Sequence, residues 1–502
     1  MTAPVDAHAT APANVSPVVA SARAQPLPPG PHAPALVQLT RYMADPIAFL
    51  ERCRRELGPV FTLRWPGMPP MVYFTEPAAV QAIFACSPEV LRGGASNAVL
   101  DFVTGPRSVA RLDGQAHRRR RRGMVPPFGR LGPSYAEAMR SNTLAVLGAY
   151  GHRVFSFREA SQSLTLDNLI RCALGVRDTA RAAQLKALTL DFIAGSLNPV
   201  MAALWMLFSG VEVRERIVRH LAPLAHFRAT RRLPFVTLAR AIEQLDRLLY
   251  AAIAEARASD DDGRIDVLSL LVRSEDHRPD LELRDELMTI LVGGHETTST
   301  TLDWVLVEAC SRPEVMARIR RELDDAVGDG PVTVEALSHL TYLRAVIHEC
   351  LRLHPPAPAI GRLAAEPVTI AGVDLPAGVM VTPSVVLVHR DATSWSNPRR
   401  FVPDRFLDEP IPKGAFIPFG GGSRTCLGKP FAMFQLQVVL GTLLSRFDVE
   451  PIDWPAPKLV QRGLFTGVSH PVDLRLRPRS ERRHVDPAPP SPRHGSSPCP
   501  VC

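Results

Sequence analysis

Near its C-terminus the chain reads Phe419-Gly-Gly-Gly-Ser-Arg-Thr-Cys-Leu-Gly428, which places one cysteine in a glycine-rich turn. An apolar segment, residues 430–444, follows at once. We predict that this segment forms a buried helix beginning at Pro430, because the first helical position has no intrahelical use for an N–H. Cys426 would then lie at the positive end of a helix, where unpaired N–H groups and the macrodipole lower the pKa of a thiol. We therefore expect a thiolate that can hold a metal.

The fixed positions of this turn follow the spacing Phe419-x-x-Gly422-x-Arg424-x-Cys426-x-Gly428. At each of them the turn resembles the haem-binding loop of the cytochromes P450. The resemblance implies a fold that is mainly α with small β-sheets, the cytochrome P450 fold. It also implies that Cys426 is the axial ligand to the iron of haem b (iron protoporphyrin IX), an arrangement that favours O–O cleavage.

The residues around the cysteine have tasks that follow from their chemistry. Gly422 and Gly428 allow backbone conformations and a close approach that a side chain would block. Arg424 can pair with a haem propionate, and Phe419 can cover the sulfur. We expect Phe419, Arg424 and Gly428 to surround the cofactor together with Cys426.

A second candidate for cofactor binding lies at five consecutive arginines, residues 118–122, and the histidine before them. His117 and Arg121 stand four residues apart, so they share one face of a predicted helix. The resemblance implies that this pair holds haem propionates, although many relatives have tryptophan where His117 stands, and it makes Arg362 a further candidate. We expect the other arginines on the outer face, where they would attract an acidic electron-transfer protein or simply be solvated.

The longest uninterrupted helical pattern covers residues 281–311, with Gly293-Gly294-His295-Glu296-Thr297-Thr298 at its middle. These are mostly poor helix formers, and a glycine pair lets a helix widen into a groove. The segment resembles the oxygen-activation segment of the same family. This implies that Glu296 and Thr297 are the catalytic acid–alcohol pair that orders water and delivers protons. The alternative is that Glu296 forms a salt bridge and the threonines only pack; His295 is expected to be a packed or hydrogen-bonded helix residue.

Scaffolding is predicted around a third helical pattern, which a proline ends at residue 355. Glu349 and Arg352 lie three residues apart on one face of it. The resemblance implies that this pair is buried and joined by Arg405. We assign these three residues to the frame around the cofactor and not to catalysis.

The organisation of the chain suggests one folded domain with a tail at each end. We expect residues 1–27, rich in alanine and proline, to be a disordered arm, residues 28–477 to be the haem domain, and residues 478–502 to be a disordered tail. Within the domain, strand-like runs at 60–65 and 71–74 flank Pro66-Gly67 and predict a hairpin. The tail's Cys499-Pro-Val-Cys502 is expected to be inert, because it has no second pair of metal ligands.

Composition narrows the class of protein and its location. The 502 residues are 46% hydrophobic, and their net charge of +8 is small against 58 basic and 50 acidic residues, so we expect no nucleic-acid partner. Eight scattered cysteines do not form a disulfide framework, which favours a reducing, cytoplasmic location. Since no apolar run reaches the roughly 18 residues of a spanning helix, we expect no membrane span.

The resemblance and the residues together predict an oxygen-dependent monooxygenase acting on a lipophilic substrate such as a fatty acid, terpenoid or steroid-like molecule. The segments expected to line the pocket, residues 98–104, 204–208, 356–360 and 464–465, are mostly apolar. No flavin or nicotinamide fingerprint follows residue 478. We therefore expect a separate ferredoxin or flavodoxin, with an NAD(P)H-dependent reductase, to supply electrons.

Two other functions stay open at this point. A peroxide-dependent haem-thiolate enzyme or isomerase would keep Cys426 but would not need the pair Glu296 and Thr297. A non-catalytic haem sensor would bind a diatomic gas without consuming NAD(P)H. Oxygen uptake in the presence of redox partners and candidate lipids separates these functions from a monooxygenase.

Overall fold

The computed structural model of the chain describes residues 26–196, 219–226, 234–261, 263–274, 278–408, 410–455 and 457–479. Over these residues the prediction of a mainly α fold with small β-sheets is confirmed. The predicted lining segment 204–208 lies outside the described residues, as do most of the two predicted tails and Cys499 and Cys502.

The α-helices are numbered in chain order over the described residues. They are α1 (Ala35–Ala44), α2 (Pro46–Leu57), α3 (Pro77–Ala85), α4 (Gly93–Ser96), α5 (Asp101–Thr104), α6 (Gly114–Gly129), α7 (Pro133–Gly148), α8 (Phe157–Asn168), α9 (Thr179–Ser196), α10 (Pro234–Ala258), α11 (Val267–Val272), α12 (Asp280–Cys310), α13 (Pro313–Ala326), α14 (Val334–His339), α15 (Thr341–Leu353), α16 (Val385–Val388), α17 (Arg405–Asp408) and α18 (Lys429–Arg446). A π-helical turn, Leu169–Ala173, continues α8.

The strands form small sheets at the edges of this helical body. They are β1 (Val60–Leu63), β2 (Met71–Phe74), β3 (Leu91–Arg92), β4 (Phe155–Ser156), β5 (Arg362–Ala364), β6 (Val368–Ile370), β7 (Val373–Leu375), β8 (Met380–Pro383), β9 (Phe447–Pro451), β10 (Leu459–Arg462), β11 (Phe465–Val468) and β12 (Asp473–Pro478). The largest sheet has the order β1-β2-β8-β5-β3. The others are β4-β12-β9, β10-β11 and β6-β7.

The predicted hairpin is confirmed as the antiparallel pair β1 and β2, in which Val60 is opposite Phe74. Gly67 takes a φ of 73° in its turn, a conformation that glycine adopts without a steric penalty. The chain before α1 runs along this hairpin, since the N–H of Thr62 donates to Pro29 O over 2.8 Å. The polar backbone of the proline-rich segment is thus partly satisfied by the edge of the sheet.

The core is centred on α12, α15 and α18. Helix α12 has 31 residues and is buried along nearly all of its length, and it packs against α8 on one side and α15 and α18 on others. The predicted helix 281–311 is therefore confirmed within one residue at each end. Helix α18 begins at Lys429, one residue before the predicted start. Both helices are apolar on most faces because protein surrounds them.

No helix in the described part of the chain combines the length and apolar character that a bilayer crossing requires.

The predicted scaffold of Glu349, Arg352 and Arg405 is confirmed. The side chains of Glu349 and Arg352 are 0% exposed, and the guanidinium donates to both carboxylate oxygens over 2.6 and 2.8 Å. Arg405 Nε adds a contact of 3.2 Å to the same carboxylate. Arg352 also donates to the carbonyl oxygens of residues 389, 398 and 400, so the network ties α15 to the loop that follows α16.

We expect Glu349→Gln to lower the free energy of unfolding by about 3–5 kcal/mol, because it leaves two buried guanidinium groups without their carboxylate. Urea denaturation of the haem-loaded protein measures this loss. The control is Glu56→Gln, which breaks an ion pair whose side chains are 60% and 50% exposed and should cost under about 1 kcal/mol. Equal losses in the two variants would contradict the scaffold assignment.

Candidate cofactor site

The turn before α18 is folded back on itself by backbone hydrogen bonds. The N–H of Cys426 donates to Phe419 O over 2.9 Å, and the N–H of Thr425 donates to Gly422 O over 3.2 Å. Gly422 has a φ of +65°, and a Cβ there would lie 2.5 Å from Phe84 O. A side chain at this position would therefore push the turn away from α3. The geometry holds Cys426 immediately before the first turn of α18.

The electrostatics of Cys426 differ from the sequence prediction. Protein surrounds much of the sulfur although part of the residue is accessible, and this burial raises the pKa of the Cys426 thiol. The amides of Gly428 and Lys429 donate toward the sulfur and, with the charge of Arg121, lower the pKa, but their effect is smaller than that of burial. The predicted lowering of the pKa is therefore wrong in its net direction. Because a metal binds the thiolate, binding must displace the proton.

Phe419 lies beside this turn and is partly buried against the main core. Lys429 Nζ lies 5.7 Å from the centre of its ring. A Cβ added to Gly428 would come within 3.9 Å of the Cys426 sulfur, which is ordinary van der Waals contact. Gly428 thus lies next to the sulfur as predicted, while shielding of the sulfur by Phe419 stays a prediction.

His117 and Arg121 project from the same face of α6 into this region. His117 is buried, and its pKa is lowered to about 4 by burial and by the nearby charges of Arg424 and Arg121. The imidazole is therefore neutral at pH 7 and offers one N–H donor. Burial also lowers the pKa of Arg121, whose charge is close enough to Cys426 to act on it.

Arg424 is largely held by the segment before α6. It donates to Asp113 Oδ1 over 2.6 Å and to Ala110 O over 3.2 Å. Its Nε is buried and has no hydrogen-bond partner among the described protein atoms. An unsatisfied donor on a buried cation is costly, so Nε calls for an acceptor that the protein does not itself provide.

Arg362 is also an arginine enclosed by protein, and it is more deeply buried than Arg424. The residue is 8% exposed. Burial and the charge of Arg424 lower the pKa of Arg362 to about 10. Its guanidinium donates to Gly361 O over 2.8 Å. In the described part of the chain no carboxylate forms an ion pair with it.

These residues fit haem b. Three guanidinium groups, those of Arg121, Arg362 and Arg424, converge with a single carboxylate, that of Asp113. The surplus of two buried positive charges matches the two propionates of haem b, and arginine is suited to pairing with carboxylates. The structure thus brings together the cationic residues that the sequence singled out, and it adds Asp113 as the residue that positions Arg424.

One expectation for the arginine run is wrong. Arg120 does not lie on the outer face of α6, because it forms ion pairs with Glu282 and Glu286 of α12. Arg118 and Arg122 are exposed as predicted. Glu282 and Glu286 thus hold Arg120 against α12. The sequence of α6 alone could not reveal this contact.

Open space adjoins α12 at Gly293, and this space is called the groove below. A Cβ added to Gly293 would meet no atom within 4 Å, whereas one on Gly294 would lie 3.1 Å from the side chain of Leu169. Helix α12 stays α-helical throughout, so the predicted widening of the helix is not seen and the groove results from the missing side chain. Thr297 lies one turn further on and donates through Oγ1 to Gly293 O over 2.8 Å.

Glu296 turns away from this groove toward α8. One carboxylate oxygen accepts from Arg158, and the other accepts from Gln162 Nε2 over 3.2 Å. The salt-bridge alternative therefore describes the conformation of Glu296 seen here. His295 is buried and hydrogen-bonded as expected, with Nδ1 2.9 Å from Thr165 Oγ1. Sequence reasoning missed Arg158, because nothing along the chain links it to a residue 138 positions away.

Comparisons with known proteins agree with this geometry. The family model for Cytochrome P450 matches residues 25–474. The chain is 35% identical over 434 residues to cytochrome P450 135B1 of Mycobacterium tuberculosis, covering 84% of this chain and 85% of that protein. It is 32% identical over 466 residues to cytochrome P450 135A1 of the same organism, covering 90% and 96%. The structure of retinoic acid bound cyanobacterial CYP120A1 has the same fold, with a TM-score of 0.74 at 23% identity over 91% of this chain and 100% of that one.

We expect Arg362→Gln to bind haem at least about tenfold more weakly, because a hydrogen bond to a charged group contributes about 1.5–3 kcal/mol. The rate of haem transfer from the loaded protein to an acceptor apoprotein measures this change. Arg390→Gln is the matched control, since Arg390 is a partly buried arginine whose pKa is likewise lowered to about 10 by burial, but its guanidinium donates to backbone carbonyls beside the scaffold. Equal transfer rates for the two variants would remove Arg362 from the cofactor site.

Proposed function

Because this chain belongs to the cytochrome P450 family, whose members bind haem b and act as monooxygenases, we propose that it hydroxylates a lipophilic small molecule with electrons from a separate redox partner. In the overall reaction, one C–H bond, O₂, two electrons and two protons give an alcohol and water. The convergence of Cys426 with three guanidinium groups and one carboxylate is the observation that carries the proposal.

Seven residues around the cofactor site have a proposed role in holding haem b. Bound haem supplies dioxygen activation and oxygen insertion, and the protein supplies its ligand, orientation and electrostatics. Cys426 is the metal ligand in the proposal. The other cofactor contacts are His117, Arg121, Arg362, Phe419, Arg424 and Gly428.

The start of α18 stabilises the ligand in its charged form. Burial opposes ionisation of Cys426, and the amides of Gly428 and Lys429 favour it. Two N–H donors aimed at one sulfur tune how strongly that sulfur donates electrons to a metal. Replacing the sulfur removes the only group in this turn that these donors can stabilise as an anion.

Proton delivery is assigned to Thr297 and Glu296. Thr297 lies at the open groove, where its hydroxyl can exchange its bond to Gly293 O for one to water. Glu296 is one residue further back and is held by Arg158. For the carboxylate to pass protons toward Thr297, its side chain must leave that ion pair. The structure thus supports a relay with a closed resting position.

The substrate is assigned from the apolar segments around the groove. Leu100, Ile360 and Phe465 are each partly buried and keep accessible apolar surface. The turn at residues 356–360 and the β10–β11 hairpin are joined, since the N–H of Thr466 donates to Pro356 O over 2.9 Å. Apolar walls of this kind favour a fatty acid, terpenoid or steroid-like molecule.

The electron donor is assigned from charge. Arg118 and Arg122 are exposed on α6, the helix that carries His117 and Arg121 toward the cofactor site. Exposed arginines raise the rate of encounter with an acidic protein. We therefore propose an acidic ferredoxin or flavodoxin, reduced by an NAD(P)H-dependent reductase, as partner. A lipophilic library, screened for the spin-state change that follows displacement of iron-bound water, would identify the substrate.

Cys426→Ala should abolish thiolate-ligated haem, because the turn offers no other anionic ligand. The absorption spectrum of the reduced carbon monoxide complex measures the ligand. Gly428 and the rest of the turn are unchanged in this variant, so loss of the thiolate spectrum reports on the sulfur. A spectrum identical to that of the wild type would defeat the assignment.

We expect Thr297→Ala to bind substrate normally but to divert reducing equivalents to hydrogen peroxide, because the groove loses the hydroxyl that orders water. The ratio of product to NAD(P)H consumed measures this coupling. Thr301→Ala is the control, since Thr301 also donates to the carbonyl one turn before it, over 2.9 Å, but is buried. Unchanged coupling in Thr297→Ala would remove Thr297 from the mechanism.

A further inference from the structure

Two carboxylates on one face of α12 share a single guanidinium group. Glu296 and Asp303 are separated by about two helical turns, so their side chains leave α12 on the same side. Arg158 of α8 donates to Glu296 through Nη2 and to Asp303 through Nη1, the latter over 2.9 Å. The side chains of Arg158, Glu296 and Asp303 are 14%, 6% and 0% exposed.

The two carboxylates are held unequally. Asp303 is fully enclosed, and its second oxygen accepts from Ser161 Oγ over 2.7 Å. The second oxygen of Glu296 accepts from Gln162 Nε2 over 3.2 Å, at the long end of the normal range. A glutamate also has one more rotatable bond than an aspartate, and Glu296 adjoins the groove residue Thr297. Asp303 is therefore the fixed partner of Arg158, and Glu296 is the exchangeable one.

Burial and charge act in opposite directions on Arg158 and Asp303. Burial alone would lower the pKa of Arg158, but Asp303 and Glu296 together raise it. Burial has the largest effect and leaves the pKa of Asp303 above its ordinary value, although Arg158 and Ser161 lower it. We take Asp303 as ionised, because Arg158 and Ser161 both donate to it and neither of its oxygens needs a proton to be satisfied. Arg462 of β10 faces the same three charges from a third element.

We propose that Arg158 and Asp303 are positioning residues that control how readily the Glu296 carboxylate leaves its ion pair and turns to the groove. The inference rests on the proposed role of Glu296 in proton delivery. A buried guanidinium without any carboxylate is strongly unfavourable, so a simple Arg158–Glu296 pair would resist opening. Because Asp303 keeps its contact, the departure of Glu296 leaves Arg158 paired with one carboxylate. Asp303 thus lowers the free-energy cost of moving Glu296 out of its ion pair with Arg158.

A different result is expected if Arg158, Asp303 and Glu296 serve only the stability of the fold. If Arg158 only clamps α8 to α12, any variant that weakens the clamp lowers stability, and catalysis falls only as folded protein is lost. In our proposal Arg158 and Asp303 act in opposite directions on Glu296. Removing Asp303 tightens the hold on Glu296, whereas weakening Arg158 loosens it.

The first experiment uses Asp303→Asn in the haem-loaded protein with its redox partners. We expect the fraction of electrons that reach product to fall about threefold or more, with peroxide rising to match, since general acid–base catalysis contributes about 10²-fold or more. The solvent deuterium isotope effect should rise, because proton delivery becomes slower. The carbon monoxide spectrum and the substrate-induced spin-state change should stay as in the wild type. Unchanged coupling and isotope effect in the folded variant would overturn the proposal.

Two further variants separate this inference from the function on which it rests. Asp285→Asn is the matched control, since Asp285 is another fully buried aspartate of α12 whose arginine, Arg284, also pairs with a second carboxylate. It should lose comparable stability with no change in isotope effect. Glu296→Gln should lower coupling by itself. If Glu296→Gln lowers coupling and Asp303→Asn does not, the inference fails alone; if Glu296→Gln has no effect, the proton-delivery assignment fails and the inference with it.

Arg158→Lys gives a test with the opposite sign. A lysine is a point charge that cannot bridge two carboxylates with a planar fork, so Glu296 is released more easily. We expect lower stability together with a product yield per electron that is unchanged or higher. Where Asp303→Asn does not fold, this variant decides alone, and a fall in coupling in folded Arg158→Lys overturns the proposal.

Discussion

The position of one thiol at the start of α18 is the constraint that organises the rest of the structure. A buried sulfur is disfavoured as an anion, and the amides of Gly428 and Lys429 offset this only in part. In the proposed function a metal completes the stabilisation, because it takes the thiolate as its ligand. The glycine turn and its contact with α3 hold that sulfur in one place.

The second organising feature is the charge that surrounds the sulfur. Three arginines and one aspartate leave a positive surplus, which suits a cofactor with two carboxylates and no other compensation. In a separate cluster between α8 and α12, Glu296 and Asp303 share Arg158. In the proposed function, the first group of charges holds the propionates of the cofactor and the second restrains the proposed proton carrier, Glu296.

Much of this could be predicted from sequence, for local reasons. Spacing within a few residues determines the cysteine turn, the bounds of α12 and the pair Glu349 and Arg352, and such spacing can be read directly from the sequence. What could not be predicted depends on distant partners. Arg158 and Arg120 find carboxylates of α12 that are more than 130 positions away, and the net pKa shift of Cys426 depends on how much protein surrounds it. The sequence alone shows that Asp303 is a carboxylate on the same helical face as Glu296. Only the structure shows that Arg158 joins the two.

The central claim is that a single thiolate sulfur, that of Cys426, binds the iron. X-ray absorption at the iron edge of the purified, haem-loaded wild-type protein tests it most directly. The account predicts one sulfur among the atoms bound to iron, in addition to the four nitrogens of the macrocycle. A first coordination sphere made only of nitrogen and oxygen would contradict it.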